Sequence, residues 1–131
     1  MKLRFYRPLF LAVAILGMLF ALGFQLQPGR PHAYQVPFFH WDYWVDTLKH
    51  LAGFTLLGCA YFAGVYPGGE LSFRRFVRTV WPVVLFGAVV ELLQLWVPHR
   101  SCNVFDLLAN TGGPLLGYVA IRWLLPDGGL E

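Results

Sequence analysis

Apolar residues in this chain fall into four long runs, about Pro8 to Leu26, Val45 to Tyr66, Val77 to Val97 and Val104 to Leu125, separated by short polar breaks. A helix needs about 20 mostly apolar residues to cross the hydrocarbon core of a bilayer. The pattern therefore predicts an all-α, four-helix transmembrane bundle, with helices about 8–26, 45–66, 77–97 and 104–125 in a single domain over residues 1–131. The breaks carry helix-ending chemistry: Pro67-Gly68-Gly69 after the second run, Pro98 after the third, and Pro126-Asp127-Gly128-Gly129 after the fourth. Asn103 is the expected N-cap of the fourth helix, and Pro82 is expected in the first turns of the third, where proline is tolerated. Lys2, Arg4 and Arg7 precede the first run, as in a secretory signal peptide. Signal cores, however, span roughly 7–15 residues and end at a small-residue cleavage site. This run is longer and ends in Gln25-Leu26-Gln27-Pro28, so it reads as a retained helix.

Composition agrees with a lipid environment. Charged residues make up 13% of the chain, against about 25% in soluble domains. The ten basic and seven acidic residues form no basic stripe, so no nucleic-acid partner is expected. Basic residues instead set orientation, because Lys and Arg in short loops stay cytoplasmic. Lys2, Arg4, Arg7, Arg74, Arg75, Arg78 and Arg122 lie at alternate ends of the spans, opposite Arg30 and Arg100. Both termini are therefore expected in the cytoplasm. Aromatic residues cluster near the expected boundaries, Phe38, Phe39, Trp41, Tyr43, Trp44 and Trp96 on the outer side and Tyr66, Phe73, Phe76, Trp81 and Trp123 on the inner. Cys59 in a span and Cys102 in a loop are expected at different depths, too far apart for a disulfide.

The polar residues inside the spans are the unusual feature. A charged side chain at mid-helix costs about 2.5–3.5 kcal/mol on insertion scales, so it belongs in the bundle interior with partners. Asp46, Lys49 and His50 share one face of the second span at i, i+3 and i+4, with Gly53 deeper on the same stripe. Glu91 and Gln94 share a face of the third with Gly87; Asp106 and Asn110 share a face of the fourth with Gly113 and Gly117. Small residues allow helix backbones to approach closely in a membrane, and Gly113-x-x-x-Gly117 has the spacing for it. Three helices are thus expected to converge on one polar cavity open to the outer side, with Arg100 above it. The first span, without a charged residue, is expected to support packing through Ala14, Gly17 and Ala21.

These residues carry a resemblance to the VanZ-like membrane proteins over about the last ninety residues. Glu91-x-x-Gln94, Arg100, then Asp106-x-x-x-Asn110-x-x-Gly113 with Gly117 beyond are similar to that family's signature across the third and fourth helices. Asp46, His50 and Phe54 resemble its Asp-Lys-x-x-His-x-x-x-aromatic pattern, except that Thr47 follows the aspartate and the lysine is Lys49. The resemblance implies a bacterial, envelope-related protein of the cytoplasmic membrane, linked in some members to glycopeptide antibiotic resistance.

The residues themselves suggest catalytic roles for Asp46, His50 and Glu91, with His50 held in one tautomer by Asp46. Lys49, Gln94, Arg100, Asp106 and Asn110 are the expected ligand-binding set, with the Arg100 fork as an anion clamp. Glu91 or Asp106 is the ion-pair partner that Arg100 would otherwise have. No compact metal spacing occurs, so neither a metal nor a cofactor is expected. The expected partner is a membrane lipid or a lipid-linked envelope intermediate. The other reading is a noncatalytic scaffold whose polar network sets helix packing.

Overall fold

The computed structural model describes residues 6–29, 41–65, 73–100 and 104–124, apart from the side chain at position 42. The Asn103 cap, Cys102, Phe38, Phe39, Tyr66, the turn at 67–69, the carboxyl-terminal stop and the basic residues Lys2, Arg4 and Arg30 lie outside the described residues.

Four helices account for nearly all of the described chain: α1 (Arg7–Gln25), α2 (Trp41–Val65), α3 (Phe73–Leu93) and α4 (Val104–Leu124). Each is long and apolar enough to cross a membrane, as the four runs predict. Two starts differ from the apolar pattern. Helix α2 begins at Trp41 rather than Val45, and α3 at Phe73 rather than Val77. Hydropathy marks where hydrocarbon ends, whereas i→i−4 hydrogen bonding continues into the interfacial zone. The aromatic Trp41–Trp44 and arginine-bearing Phe73–Arg78 turns are therefore helical without being fully apolar. With α3 starting at Phe73, Pro82 sits inside the helix rather than in its first turns. At its other end α3 tightens into a 3-10 turn, Gln94–Trp96, and Val97 is extended (φ −92°, ψ 127°), as the residue before Pro98 should be.

The central pair is α2 against α4, and glycine determines how closely they meet. A Cβ placed on Gly113 would lie 2.8 Å from the Thr55 nitrogen and 2.9 Å from the Leu51 oxygen; one on Gly117 would lie 2.7 Å from the Thr55 oxygen. Only a bare backbone fits there, as the Gly113-x-x-x-Gly117 spacing predicts. Gly87 brings α3 onto α4 in the same way, since its added Cβ would meet the Asn110 Cβ at 2.9 Å. Ala14 of α1 is buried with Phe54, Leu57 and Val83 in one apolar cluster, so its expected packing role holds. A second cluster, Phe62, Val80 and Tyr118, closes the opposite end of the bundle.

Up-and-down topology places the end of α1, the start of α2, the end of α3 and the start of α4 together. The link after α1 is tied to the α3–α4 link by the Gly29 N–H donating to the Pro98 carbonyl (3.0 Å). That approach requires glycine, because a Cβ on Gly29 would collide with the His99 carbonyl, and His99 itself has a left-handed φ of 58°. The outer surface carries Leu16, Phe20, Leu56, Leu108 and Val119, all more than half exposed. Water would not tolerate so continuous an apolar belt, and lipid favours it.

Candidate functional site

The polar end is assembled mainly by α2 and α4. Asn110, fully buried on α4, donates through Nδ2 to the Gly87 carbonyl of α3 (3.3 Å). That bond turns the amide oxygen toward His50, whose Nδ1 lies 2.9 Å from Asn110 Oδ1. An amide oxygen can only accept, so His50 Nδ1 carries the hydrogen and the neutral ring keeps its lone pair on Nε2. Asn110, not Asp46, therefore fixes the tautomer. The sequence pairs Asp46 with His50 because they are one turn apart, but the Asp46 carboxylate is drawn to cations instead. Proline contributes too: Pro114 has no N–H to give the Asn110 carbonyl one turn earlier, so the α4 ladder is open at this residue.

One turn nearer the starts of α2 and α4, the Thr47 hydroxyl donates to Asp106 Oδ1 over 2.5 Å, a length typical of a charge-assisted hydroxyl–carboxylate bond. Helical spacing alone does not mark Thr47, although its place beside Asp46, where the resembled pattern carries lysine, is a signal for it. Asp46 accepts from Arg100 Nη1 at 3.4 Å and lies 3.9 Å from Lys49 Nζ. The partner of Arg100 is thus Asp46, rather than Glu91 or Asp106. The reason is placement: the Arg100 Nε–H also donates to the Gln27 carbonyl (3.3 Å), which holds the side chain near the start of α2. Lys49 stays at the rim, with its side chain 62% exposed.

Helices α3 and α1 complete the polar end. Glu91 is fully buried one turn beyond Gly87. Gln94 is buried as well, but its amide is directed to α1, donating to the Gln25 carbonyl (3.2 Å) and side-chain oxygen (3.0 Å). Gln25 is itself buried, and the sequence had presented it only as part of the polar stop after the first run. The structure thus brings Asp46, His50, Arg100, Asp106 and Asn110 into one connected set. Gln94 faces a different neighbour, and Lys49 remains at the edge.

Chemically, the set combines a buried imidazole, two carboxylates and a guanidinium. Asp46, His50 and Asp106 each offer a donor atom within 4.8 Å of the other two. One nitrogen and two oxygens at that spacing are a donor set a divalent cation accepts. Spacing along the chain could not display it, since it is formed across two helices.

A four-helix bundle with an apolar exterior and charged groups buried at one end defines a multi-pass integral membrane protein. A family model described as VanZ/LLP1 matches residues 1–125, and the chain belongs to that family. The match takes in α1, which the motifs alone did not reach. Comparisons with curated proteins and with solved structures each find no match.

Proposed function

We propose that the polar end faces the exterior of a bacterial cytoplasmic membrane and recognises the anionic headgroup of a lipid or lipid-linked envelope intermediate, in a role connected with tolerance to glycopeptide antibiotics. The observation that carries this reading is the state of Arg100. A guanidinium has five N–H donors, and among the described residues Arg100 engages two, with Gln27 and Asp46. Its position at the mouth, 19% exposed, leaves the remaining donors for a phosphate or carboxylate. Below it, His50 has its tautomer fixed, with the lone pair of the neutral ring on Nε2. The site is therefore equipped for acid–base chemistry on a bound headgroup as well as for binding.

The test is enrichment of phosphatidylglycerol around the purified protein in nanodiscs made mostly of phosphatidylcholine, read by native mass spectrometry. Arg100→Gln should lower the enrichment about tenfold, roughly 1.4 kcal/mol, with the helical circular dichroism unchanged. Equal enrichment in both proteins would remove the basis of the reading. The Gln94–Gln25 pair favours a second reading, a network that only fixes packing. Under it, Glu91→Gln and Asp46→Asn misassemble the bundle; under the headgroup reading they give folded protein with altered binding.

A further inference from the structure

Between α1 and α2 runs a groove of about 470 Å³ that ends at the site just described. Val13 and Phe20 of α1 and Leu56 and Ala60 of α2 are among its walls, while Gln25, Lys49 and His50 lie at its polar end. Resting on the headgroup reading above, we propose that this groove holds one straight acyl chain of the anionic phospholipid whose headgroup reaches Arg100 and His50, so that the lipid enters sideways between α1 and α2.

Dimensions select the occupant. From Ala60 to Lys49 the groove follows eleven residue-to-residue steps of α2, which at about 1.5 Å per step is roughly 16 Å. Half of a hydrocarbon core about 30 Å thick is about 15 Å, so the groove spans one leaflet. A helix from a second protein would not fit inside it: with a diameter of about 10–12 Å, one 5.4 Å turn alone displaces roughly 400–600 Å³. A hydrocarbon chain is narrower and fills the length. Phe20 and Phe24 stack nearly parallel along the α1 side (centroids 6.0 Å, 13°), giving a flat wall that suits an unbranched chain better than one studded with methyl groups.

Charge fixes the direction. Lys49 stands at one end, largely exposed and only 3.9 Å-paired with Asp46, where it can meet a phosphate. A second groove farther along α1, about 450 Å³ and lined by residues such as Leu9, Phe10, Ala63 and Leu124, has no charged residue in its lining among the described residues. The first groove therefore pairs an apolar channel with a cation at one end, matching an anionic lipid. Gly53 lies between the two parts, and a Cβ added there meets nothing within 4 Å, so the space beside it belongs to the groove rather than to packing.

Gly53→Leu should fill the groove while leaving the fold intact. Gly23→Leu is the matched control, since a Cβ at Gly23 also meets nothing within 4 Å and Gly23 does not line the groove. The probe is phosphatidylglycerol with a diazirine on one acyl chain, in phosphatidylcholine nanodiscs. Cross-links in wild-type protein should concentrate on α1 and α2 near Phe20 and Leu56. They should fall at least fivefold in Gly53→Leu and stay within twofold of wild type in Gly23→Leu. If Gly53→Leu does not fold, Val13→Trp, at a half-exposed wall position, fills the groove from the other side and should give the same loss. Cross-links spread evenly over all four helices, or unchanged in a folded groove-filling variant, overturn the proposal. If phosphatidylglycerol enrichment and its dependence on Arg100 persist in that case, the headgroup reading survives and only the chain site fails. Loss of the Arg100 dependence in wild-type protein is instead a failure of the headgroup reading itself.

Discussion

The two ends of this bundle are held together by different means. At the apolar end, Tyr118 meets Phe62 and Phe76 edge-on at 5.4 and 5.0 Å, with Val80 beside them and Gly117 bringing α4 against α2. At the other end, His50, Glu91, Gln94, Asp106 and Asn110 are buried, and His50, Gln94, Asp106 and Asn110 are bonded across helices. Helices in lipid gain little from burying apolar surface against each other and associate through close packing and polar contacts. The apolar end shows that small residues and interlocked rings suffice to bring α2, α3 and α4 together. The charged groups at the polar end are a different device, and each is expensive to insert. The proposed headgroup binding would account for that cost.

The largest effect should come from breaking the glycine contact on the apolar side. Gly117→Leu would push a side chain into backbone atoms of Thr55, Gly58 and Cys59, the nearest of them 2.7 Å from the new Cβ. Backbone cannot yield as a side-chain tip does, so the loss should be about 3 kcal/mol or more. Thermal unfolding in detergent should show the whole bundle destabilised, with headgroup binding lost as a consequence. A variant that unfolds at the wild-type temperature would mean that α2 and α4 are not held by this seam.

That seam also explains what could be read from the sequence. Four spans were legible because each crossing requires a long apolar run, and the faces bearing Asp46 and His50, or Asp106 and Asn110, were legible from helical spacing. Periodicity gives the face of a residue but not its partner. His50 meets Asn110 because Gly113 and Gly117 fix the shift of α4 along α2, and no local pattern encodes that shift. The same limit turned Asp46 toward His50 in the sequence reading and toward Arg100 in the structure. Gln25 was hidden for another reason: a polar residue at the end of an apolar run looks like a helix stop until Gln94 is found against it.

A smaller effect, confined to the polar end, is expected from Asn110→Ala. It leaves the His50 Nδ1–H and the Gly87 carbonyl without their partner, at a cost of about 1–2 kcal/mol, below that of the glycine seam. The sharper readout is the tautomer. Nitrogen-15 spectra of histidine-labelled protein should show wild-type His50 with its proton on Nδ1 and a mixture of tautomers in Asn110→Ala. Wild-type His50 protonated on Nε2 instead would overturn the orientation derived for the site.

The smallest effect on stability tests whether binding and packing are separable at the polar end. Thr47→Val preserves shape and deletes one hydroxyl bond to Asp106, worth about 0.6 kcal/mol by the average for polar contacts between membrane helices. Because Arg100 and Lys49 remain, phosphatidylglycerol enrichment should stay within twofold of wild type. Thr47→Lys puts a cation in the same place. Counting Asp46, Glu91 and Asp106 against Lys49 and Arg100, the formal charge of the set is −1, and the added lysine brings it to zero. Attraction for an anionic headgroup should then rise a few-fold, and the gain should shrink as salt is added, since rim charges are screened. If Thr47→Val lowers enrichment as much as Arg100→Gln does, the hydroxyl is holding the site's geometry rather than tuning its charge. The polar end would then resemble the apolar one in purpose, as a device that holds helices in place.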